Sequence, residues 1–173
     1  MPCSLTQGYN LDCRDSYGGV KEVLIMELAN AVTITSAAGI VTGITKSASK
    51  LFYKYNLIAF TGEGDENLTP SRENGTIFSA QSIKFPINKM TVAVRNELLL
   101  LAQARLLIVL VDQNGSGWLY GKDNGMMLAP STAKTGKALG DRNGYELAFE
   151  GTEKELALNV NAATLLTLQT AGV

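Results

Sequence analysis

The sequence predicts a mainly β fold, an antiparallel β-sandwich or barrel with one flanking α-helix. Asn-Gly, the strongest short signal for a β-hairpin because both residues accept the positive φ of a type I′ turn, occurs four times. Several segments alternate apolar and polar residues with the period of two that a half-buried strand requires. One segment alone has the spacing of an amphipathic helix. The Asn-Gly pairs lie at 74–75, 114–115, 124–125 and 143–144.

The early part of the chain predicts several strands in succession. Residues 22–45 are rich in Val, Ile and Thr, the residue types that favour strands, and Asn and Gly interrupt them. This composition predicts two or three strands, with a turn near 29–30.

The middle of the chain predicts a long hairpin. Residues 51–60 alternate with a period of two, and residues 76–87 form a second strand-like run with Pro86 near its end. Residues 61–75 between them contain three Gly, one Pro and several charges. We therefore expect 61–75 to be a long hairpin loop with a charged tip.

The predicted helix covers 91–105. Val94, Leu98 and Leu101 are spaced for one face, and the width of the apolar surface predicts that the helix packs on the sheet. Residues 106–111 follow as LLIVLV, a continuous apolar run typical of a core strand. Residues 144–151 predict a further strand by alternation.

The 173 residues suggest one domain with terminal arms: an N-terminal arm over 1–20, a β-sandwich or barrel over 21–153, and a C-terminal arm over 154–173 that lies on a neighbour. Charged residues make up only 18% of the chain, which predicts that other subunits cover part of the surface. The net charge of -1 gives no general attraction for nucleic acid. The first residues do not resemble a signal peptide, and no apolar run is long enough to predict a membrane span.

Cysteine and histidine usage points away from metal and nucleophilic chemistry. Without a secretion signal, reduced thiols are the favoured prediction for Cys3 and Cys13, with a disulfide between them as the alternative. The chain has no histidine, which removes Ser-His, Cys-His and most catalytic zinc arrangements. No phosphate-binding glycine motif is present. We therefore predict no catalytic residues, no cofactor and no enzymatic activity.

Residues 112–123, DQNGSGWLYGKD, match part of a calcium-loop template. The candidate ligands Asp112, Asn114, Ser116 and Asp123 fall at positions 1, 3, 5 and 12 of that template. However, position 12 normally holds Glu, and a β-branched run precedes the loop where an EF-hand needs a helix. The favoured interpretation is a β-hairpin turn, and the alternative is a calcium site.

The charged residues of 61–75 are candidates for an interface. On a flexible tip nothing would fix the spacing that paired carboxylates need for acid–base work. Docking on a neighbouring subunit is therefore the preferred role, with simple solvation as the alternative. The candidates are Glu63, Asp65, Glu66, Arg72 and Glu73.

Two stretches resemble structural proteins of tailed phages of Bacteroidetes, including the crAss-like group. They are ENGTIFSAQSIKFPINKMTVAVRNELLLLAQARLLIVLVDQNGSGWLYGKDNGMML and ALGDRNGYELAFEGTE, together about 73–153, and the start CSLTQGYNLDCRDSYGGVKEVLIMEL is also similar to the opening of such proteins. The element order resembles the tail-tube fold of phages and contractile injection systems, with one flanking helix and a long hairpin loop. None of these features is a catalytic signature.

The resemblance implies a structural virion protein of the tail, assembled in the host cytoplasm. Its subunits would close into homo-oligomeric rings around the DNA channel, contact adjacent tail or neck proteins, and bind neither membranes nor specific DNA sequences. The terminal arms do not fit the tube pattern, which leaves a neck, ring or baseplate position open. The alternative function is a small β-sandwich binding module that calcium could stabilise.

Overall fold

The computed structural model of the chain describes residues 7–10 and 13–170, and this part of the chain forms twelve strands and two α-helices. The strands are β1 Val20–Glu27, β2 Ala31–Ala37, β3 Ile40–Lys46, β4 Tyr53–Asn56, β5 Glu63–Ser71, β6 Thr76–Asn88, β7 Leu106–Asp112, β8 Gly117–Tyr120, β9 Met127–Leu128, β10 Thr132–Lys134, β11 Gly144–Glu153 and β12 Leu158–Val160. The helices are α1 Val92–Leu101 and α2 Ala162–Gln169, and a 3₁₀ turn lies at Leu28–Asn30. None of the described helices is long and apolar enough to cross a bilayer.

The strands form two sheets that pack as a sandwich. The first sheet has seven strands in the order β2-β3-β12-β8-β7-β1-β4, antiparallel except for the β3–β12 pair. The second has the order β10-β11-β6-β5, with β9 also paired to β11. The predicted mainly β fold with a flanking helix is confirmed, as an open sandwich and not as a closed barrel.

Strands β1 and β7 are buried on both faces, which explains the continuous apolar runs at 23–26 in β1 and at 106–111 in β7. On one face, Val23 and Ile108 belong to the core between the two sheets. There Phe85 of β6 and Phe149 of β11 stack with ring centroids 5.7 Å apart. Apolar contact between the sheets therefore anchors the second sheet to the centre of the first.

The opposite face of β1 and β7 forms a second core, and α2 covers it. Leu165 and Leu168 of α2 pack with Leu24 and Val109. The Thr164 hydroxyl donates to the Thr42 carbonyl of β3 at 2.8 Å. The domain thus has three layers: the second sheet, the first sheet and α2.

The prediction of a C-terminal arm over 154–173 is wrong for its described part, 154–170. Strand β12 lies between β3 and β8 in the first sheet, and α2 packs on that sheet. The alternation at Leu158 and Val160 places both side chains in the second core. Four apolar side chains of the segment are thus buried in its own domain, those of Leu158, Val160, Leu165 and Leu168.

A buried ion pair holds the end of α2. The Glu22 carboxylate, 3% exposed, accepts a hydrogen bond from Gln169 and lies 2.8 Å from the Lys54 Nζ. A buried carboxylate is stable only with such partners. The network therefore joins β1, β4 and α2.

The predicted loop 61–75 is mostly a strand. Residues of β5 pair with β6 from Glu63↔Lys84 to Ser71↔Thr76, which leaves only 72–75 as the turn. Charged residues and Pro70 suggested a loop, but an edge strand accepts both because one side faces solvent and needs no N–H. The expected partner of 76–87 was also wrong, because 51–60 contributes β4, which pairs with β1 in the other sheet.

Helix α1 is shorter than the predicted 91–105 and only partly covered. The Thr91 hydroxyl caps its start by accepting from the Val94 N–H. The chain then turns after Leu101, because the Arg105 carbonyl accepts from the Leu28 N–H at 2.8 Å. Leu101 is buried and Leu98 packs against the core between the sheets, so the predicted face does contact the sheets, but Leu99 is 51% exposed and this face is narrower than expected.

Removing Leu168 tests whether α2 belongs to the domain. Leu168→Ala should lower the free energy of unfolding by about 2–5 kcal/mol, because the buried side chain leaves a cavity. Leu166 is the control, since its side chain faces solvent, and Leu166→Ala should change stability by no more than about 0.5 kcal/mol. Urea unfolding of both variants measures the difference. Equal, small effects would mean that α2 does not pack as described.

Candidate functional site

Residues 112–116 form the turn of the β7–β8 hairpin, so the hairpin interpretation of this stretch is confirmed. Val111 pairs with Gly117, and Asp112 and Ser116 close the turn through an N–H to carbonyl bond of 3.0 Å. The Asp112 carboxylate also accepts from the Ser116 N–H at 2.8 Å. Gly115 has φ 84°, a conformation that favours glycine.

The four candidate calcium ligands do not lie together. Asp112, Asn114 and Ser116 belong to the β7–β8 turn, whereas Asp123 lies beyond the other end of the four-residue strand β8. A strand of that length separates its ends by about 13 Å. Among the described residues no group of three or more His, Cys, Asp or Glu side chains is placed to hold a metal ion. The match to the calcium-loop template therefore exists only in the sequence, because strand β8 separates Asp123 from the other three residues.

Asn114 holds the segment before β1. Its Oδ1 accepts from the Tyr17 N–H at 2.9 Å, and its Nδ2 donates to the Tyr17 carbonyl at 2.9 Å. The end of the predicted arm 1–20 therefore contacts the domain at the β7–β8 turn. Cys3 lies outside the described residues.

Asp123 belongs to a second turn, whose backbone binds a buried carboxylate. Glu153, 4% exposed, accepts from the N–H groups of Asp123, Asn124 and Gly125 at 2.8–3.3 Å. Successive N–H groups of this kind form an anion-binding nest, and here the anion is the protein's own side chain. The sequence analysis missed this role of Glu153, because the turn and the glutamate are about thirty residues apart.

Glu66 of the predicted interface set is half-buried and is hydrogen-bonded within the chain. Its Oε1 accepts from the Gln81 Nε2 at 2.8 Å and from the Ala157 N–H at 2.7 Å. The side-chain oxygen of Gln81, Oε1, in turn accepts from the Gly121 N–H at 3.0 Å. This network links the two sheets, so Glu66 has a structural role, and its role at an interface stays a prediction.

The other four predicted interface residues are exposed. Glu63 forms a surface ion pair of 3.4 Å with Lys84, and Asp65 lies on the same outer face of β5. Arg72 and Glu73 lie in the turn between β5 and β6. These four residues therefore lie on the surface of one hairpin, whereas Glu66 is half-buried.

The β5–β6 hairpin extends beyond the second sheet. Strand β11 ends at Glu153 opposite Ser79, whereas β5 continues to pair with β6 as far as Thr76. Among the described strands, none pairs with the β6 side of residues 68–78, which we call the hairpin tip. The tip exposes Leu68, Ile77 and Phe78 by 39–55%. An isolated two-stranded ribbon with exposed apolar side chains is marginal by itself and is typical of a contact surface.

A second group of exposed apolar side chains lies at the opposite end of the sandwich. We call Tyr17, Ile58 and Phe60 the basal patch. Phe60 is 79% exposed, adopts φ 62° and lies over Gly19. The neighbouring Gly62 approaches Phe85, near the end of β6 that is remote from the tip. Because β6 has 13 residues, about 40 Å separates its two ends. A strained, exposed aromatic residue of this kind is more typical of binding than of folding.

Both edges of the first sheet are open in the described chain. Strand β2 forms one edge and β4 the other, and most β2 side chains are exposed. Edge strands present unpaired N–H and carbonyl groups that can pair with another chain. The hairpin tip, the basal patch and the two open edges together form the candidate functional surface.

Comparison with protein-family models, with curated proteins and with solved structures finds no match to this chain. The class that the fold defines is an open two-sheet β-sandwich with a helix-covered outer face.

The nest around Glu153 can be tested by removing its charge. Glu153→Gln should lower the free energy of unfolding by about 1–3 kcal/mol, because buried N–H groups lose an ionised acceptor. Glu150 lies on the same strand with an exposed side chain, and Glu150→Gln should change stability by less than about 0.5 kcal/mol. Thermal melting compares the two variants. A neutral Glu153→Gln would show that the turn does not depend on this carboxylate.

Tyr120 predicts an alkaline loss of stability. Burial, with a smaller effect of the Glu66 and Asp65 charges, raises the pKa of Tyr120 from 10.0 to about 12. A raised folded-state pKa gives stability that is complete below pH 10 and is lost as the pH rises toward 12. Between pH 10 and 12, Tyr120→Phe should therefore reduce the fall in the free energy of unfolding by at most about 1.4 kcal/mol per pH unit. Urea unfolding across this pH range measures it.

The exposed Tyr9 is the control for this measurement. Tyr9→Phe should follow the wild-type pH profile throughout. Tyr55, whose pKa burial also raises to about 12, keeps part of the alkaline sensitivity in the Tyr120→Phe variant. An unchanged profile in Tyr120→Phe would contradict the prediction.

Proposed function

We propose that the chain is a structural subunit of a tailed-phage virion, a tail-tube or tail or neck ring protein that assembles into rings around the DNA channel. The resemblance over 73–153 and the sandwich with a flanking helix support this function. The observation that carries it is the hairpin tip, which projects from the sheet with exposed apolar side chains. A projecting ribbon of this kind is suited to reach a neighbouring subunit.

The two open edges of the first sheet support closure of a ring. If the β2 edge of one copy pairs with the β4 edge of the next, the sheet continues from subunit to subunit. Such a head-to-tail contact uses two different surfaces, and it forms a closed ring when the rotation between neighbours allows it. The contact would also cover edges that promote aggregation when they stay open.

The positions of the hairpin tip and the basal patch support stacking along the channel. They lie at opposite ends of the sandwich, so the tip of one copy can contact the basal patch of a copy in the next ring. Burial of one apolar side chain contributes about 1.5–3 kcal/mol. Association loses about 4–15 kcal/mol of translational and rotational freedom, a cost comparable to the gain from three tip residues, so a tip contact alone is marginal and the lateral contacts strengthen it. Assembly should therefore be cooperative.

The charge balance supports a channel that does not grip DNA. The net charge is -1, which provides few phosphate contacts and little salt-dependent affinity. In this proposal the partners are other copies of the chain and adjacent tail or neck proteins, and the location is the virion tail after assembly in the host cytoplasm.

The solution mass of the purified chain, with negative-stain images of the same sample, tests the proposal. We expect closed rings or short tubes that EDTA does not change. Leu68→Ser combined with Ile77→Ser should reduce stacked assemblies at equal concentration, because both residues lie on one face of the tip. Leu139→Ser is the control, since Leu139 is fully exposed on the β10–β11 loop, and it should leave assembly unchanged.

Monomers at every concentration would contradict self-assembly and support the small binding module. A monomer whose melting temperature falls in EDTA would support the calcium alternative. If the double variant formed stacked rings to the same extent as the wild type, that result would contradict the role of the hairpin tip.

A further inference from the structure

The four Asn-Gly pairs of the chain differ in their chemical accessibility. Asn-Gly can deamidate without an enzyme: the backbone nitrogen of the glycine attacks the side-chain carbonyl carbon of the asparagine. A nitrogen–carbon bond forms, the side-chain nitrogen leaves as ammonia, and water opens the cyclic imide to aspartate or isoaspartate. The reaction needs a glycine N–H that can lose its proton and an asparagine side chain that can rotate toward it. Hydrogen bonds to either group oppose it.

At 114–115 both groups are held. The Asn114 side chain bonds the Tyr17 backbone through its oxygen and its nitrogen, and its nitrogen also donates to the Ser16 hydroxyl at 3.3 Å. The Gly115 N–H donates to the Asp112 carbonyl at 3.1 Å. Attack at this pair therefore requires local opening of the turn.

At 124–125 the fold restrains the same two groups. The Asn124 Nδ2 donates to the Thr152 carbonyl at 2.7 Å. The Gly125 N–H donates to the buried Glu153 carboxylate at 3.3 Å. The Gly125 N–H, which would attack, and the Asn124 side chain, which would be attacked, are therefore both hydrogen-bonded to residues of β11.

At 143–144 the glycine is buried in the second sheet. Gly144 begins β11 and pairs with Asn88 on one side and Lys134 on the other. A Cβ atom on Gly144 would overlap the Ile87 carbonyl oxygen, so the backbone is tightly enclosed. The Asn143 carbonyl accepts from the Lys89 N–H at 2.7 Å, and this bond also fixes the backbone of Asn143, the residue before Gly144.

The pair 74–75, in the turn of the hairpin tip, has none of these restraints. Asn74 and Gly75 are exposed, and a Cβ on Gly75 would meet nothing within 4 Å. Among the described residues, neither the Asn74 side chain nor the Gly75 N–H has a hydrogen-bond partner. The Asn74 N–H donates to the Ser71 hydroxyl at 3.4 Å, which leaves the side chain able to rotate.

We propose that Asn74 is the deamidation site of this protein and that the fold protects the other three Asn-Gly pairs. The reaction changes the net charge from -1 to -2 and places the new carboxylate beside Glu73 in the hairpin tip. The isoaspartate product also lengthens the backbone of the turn by one atom. The proposal concerns the folded chain and does not depend on the proposed function.

Peptide mapping by mass spectrometry tests the proposal after incubation of the full-length protein in mildly alkaline buffer. The peptide containing Asn74 should convert from amide to acid at least about tenfold faster than the peptides containing Asn114, Asn124 and Asn143, because those three react only after local opening. Asn74→Gln should remove the dominant product, since glutamine forms the cyclic imide far more slowly. A free-subunit sample is used, so that assembly does not cover the tip.

The same incubation in concentrated urea is the matched control, because all four pairs share the Asn-Gly sequence. Their rates should then approach one another. Equal rates in the folded protein, or faster reaction at any of the other three sites, would overturn the proposal. An advantage of Asn74 that persists in urea would also overturn it, since the preference would then come from sequence and not from structure.

Discussion

The pairing of β1 with β7 is the constraint on which the other layers depend. Both strands are apolar on both faces, so neither face can remain in water. One face requires the second sheet, and the other requires α2. The hairpin tip extends from a sheet that is anchored on this pair, and the Asn114 turn that holds Tyr17 is the direct continuation of β7. The functional surface therefore has a rigid support at the centre of the domain.

Carboxylates that are hydrogen-bonded inside the domain fix how the apolar layers align with one another. Apolar contacts between layers are not directional, whereas a carboxylate is satisfied only in one relative position. Glu66 joins the two sheets, Glu153 fixes the turn after β8, and Glu22 connects β1 with α2. In a chain with few charges, two buried glutamates and one half-buried glutamate are thus used to join elements of the domain.

Local patterns in the sequence were sufficient for the parts of the fold that local chemistry determines. The continuous run at 106–111 predicted the core strand β7, and Asn114-Gly115 predicted its hairpin. Strand β5 was missed because its charges and Pro70 reflect the solvent on one side of an edge strand, not its pairing with β6. Strand β12 and helix α2 were taken for an arm, because their partners are residues about forty or more positions away.

The same long separation explains the errors at the candidate site. Glu66 was expected at an interface, but its partners Gln81 and Ala157 come from different elements. The calcium template placed Asp112 and Asp123 together because it counted residues and did not count the strand between them. Exposure of the hairpin tip was predicted from composition alone, whereas its extent depends on where β11 ends.

The position of β12 has a consequence for biosynthesis. Residues 158–160 emerge from the ribosome after the other eleven described strands, yet they fill the centre of the first sheet, between β3 and β8. Until then the β2–β3 hairpin has no strand partner in that sheet, and β3 and β8 each present a bare inner edge. A nascent chain that stalls before this point carries two adhesive edges beside an uncovered apolar face. The first sheet can therefore close only once the last described strand of the chain has been synthesised.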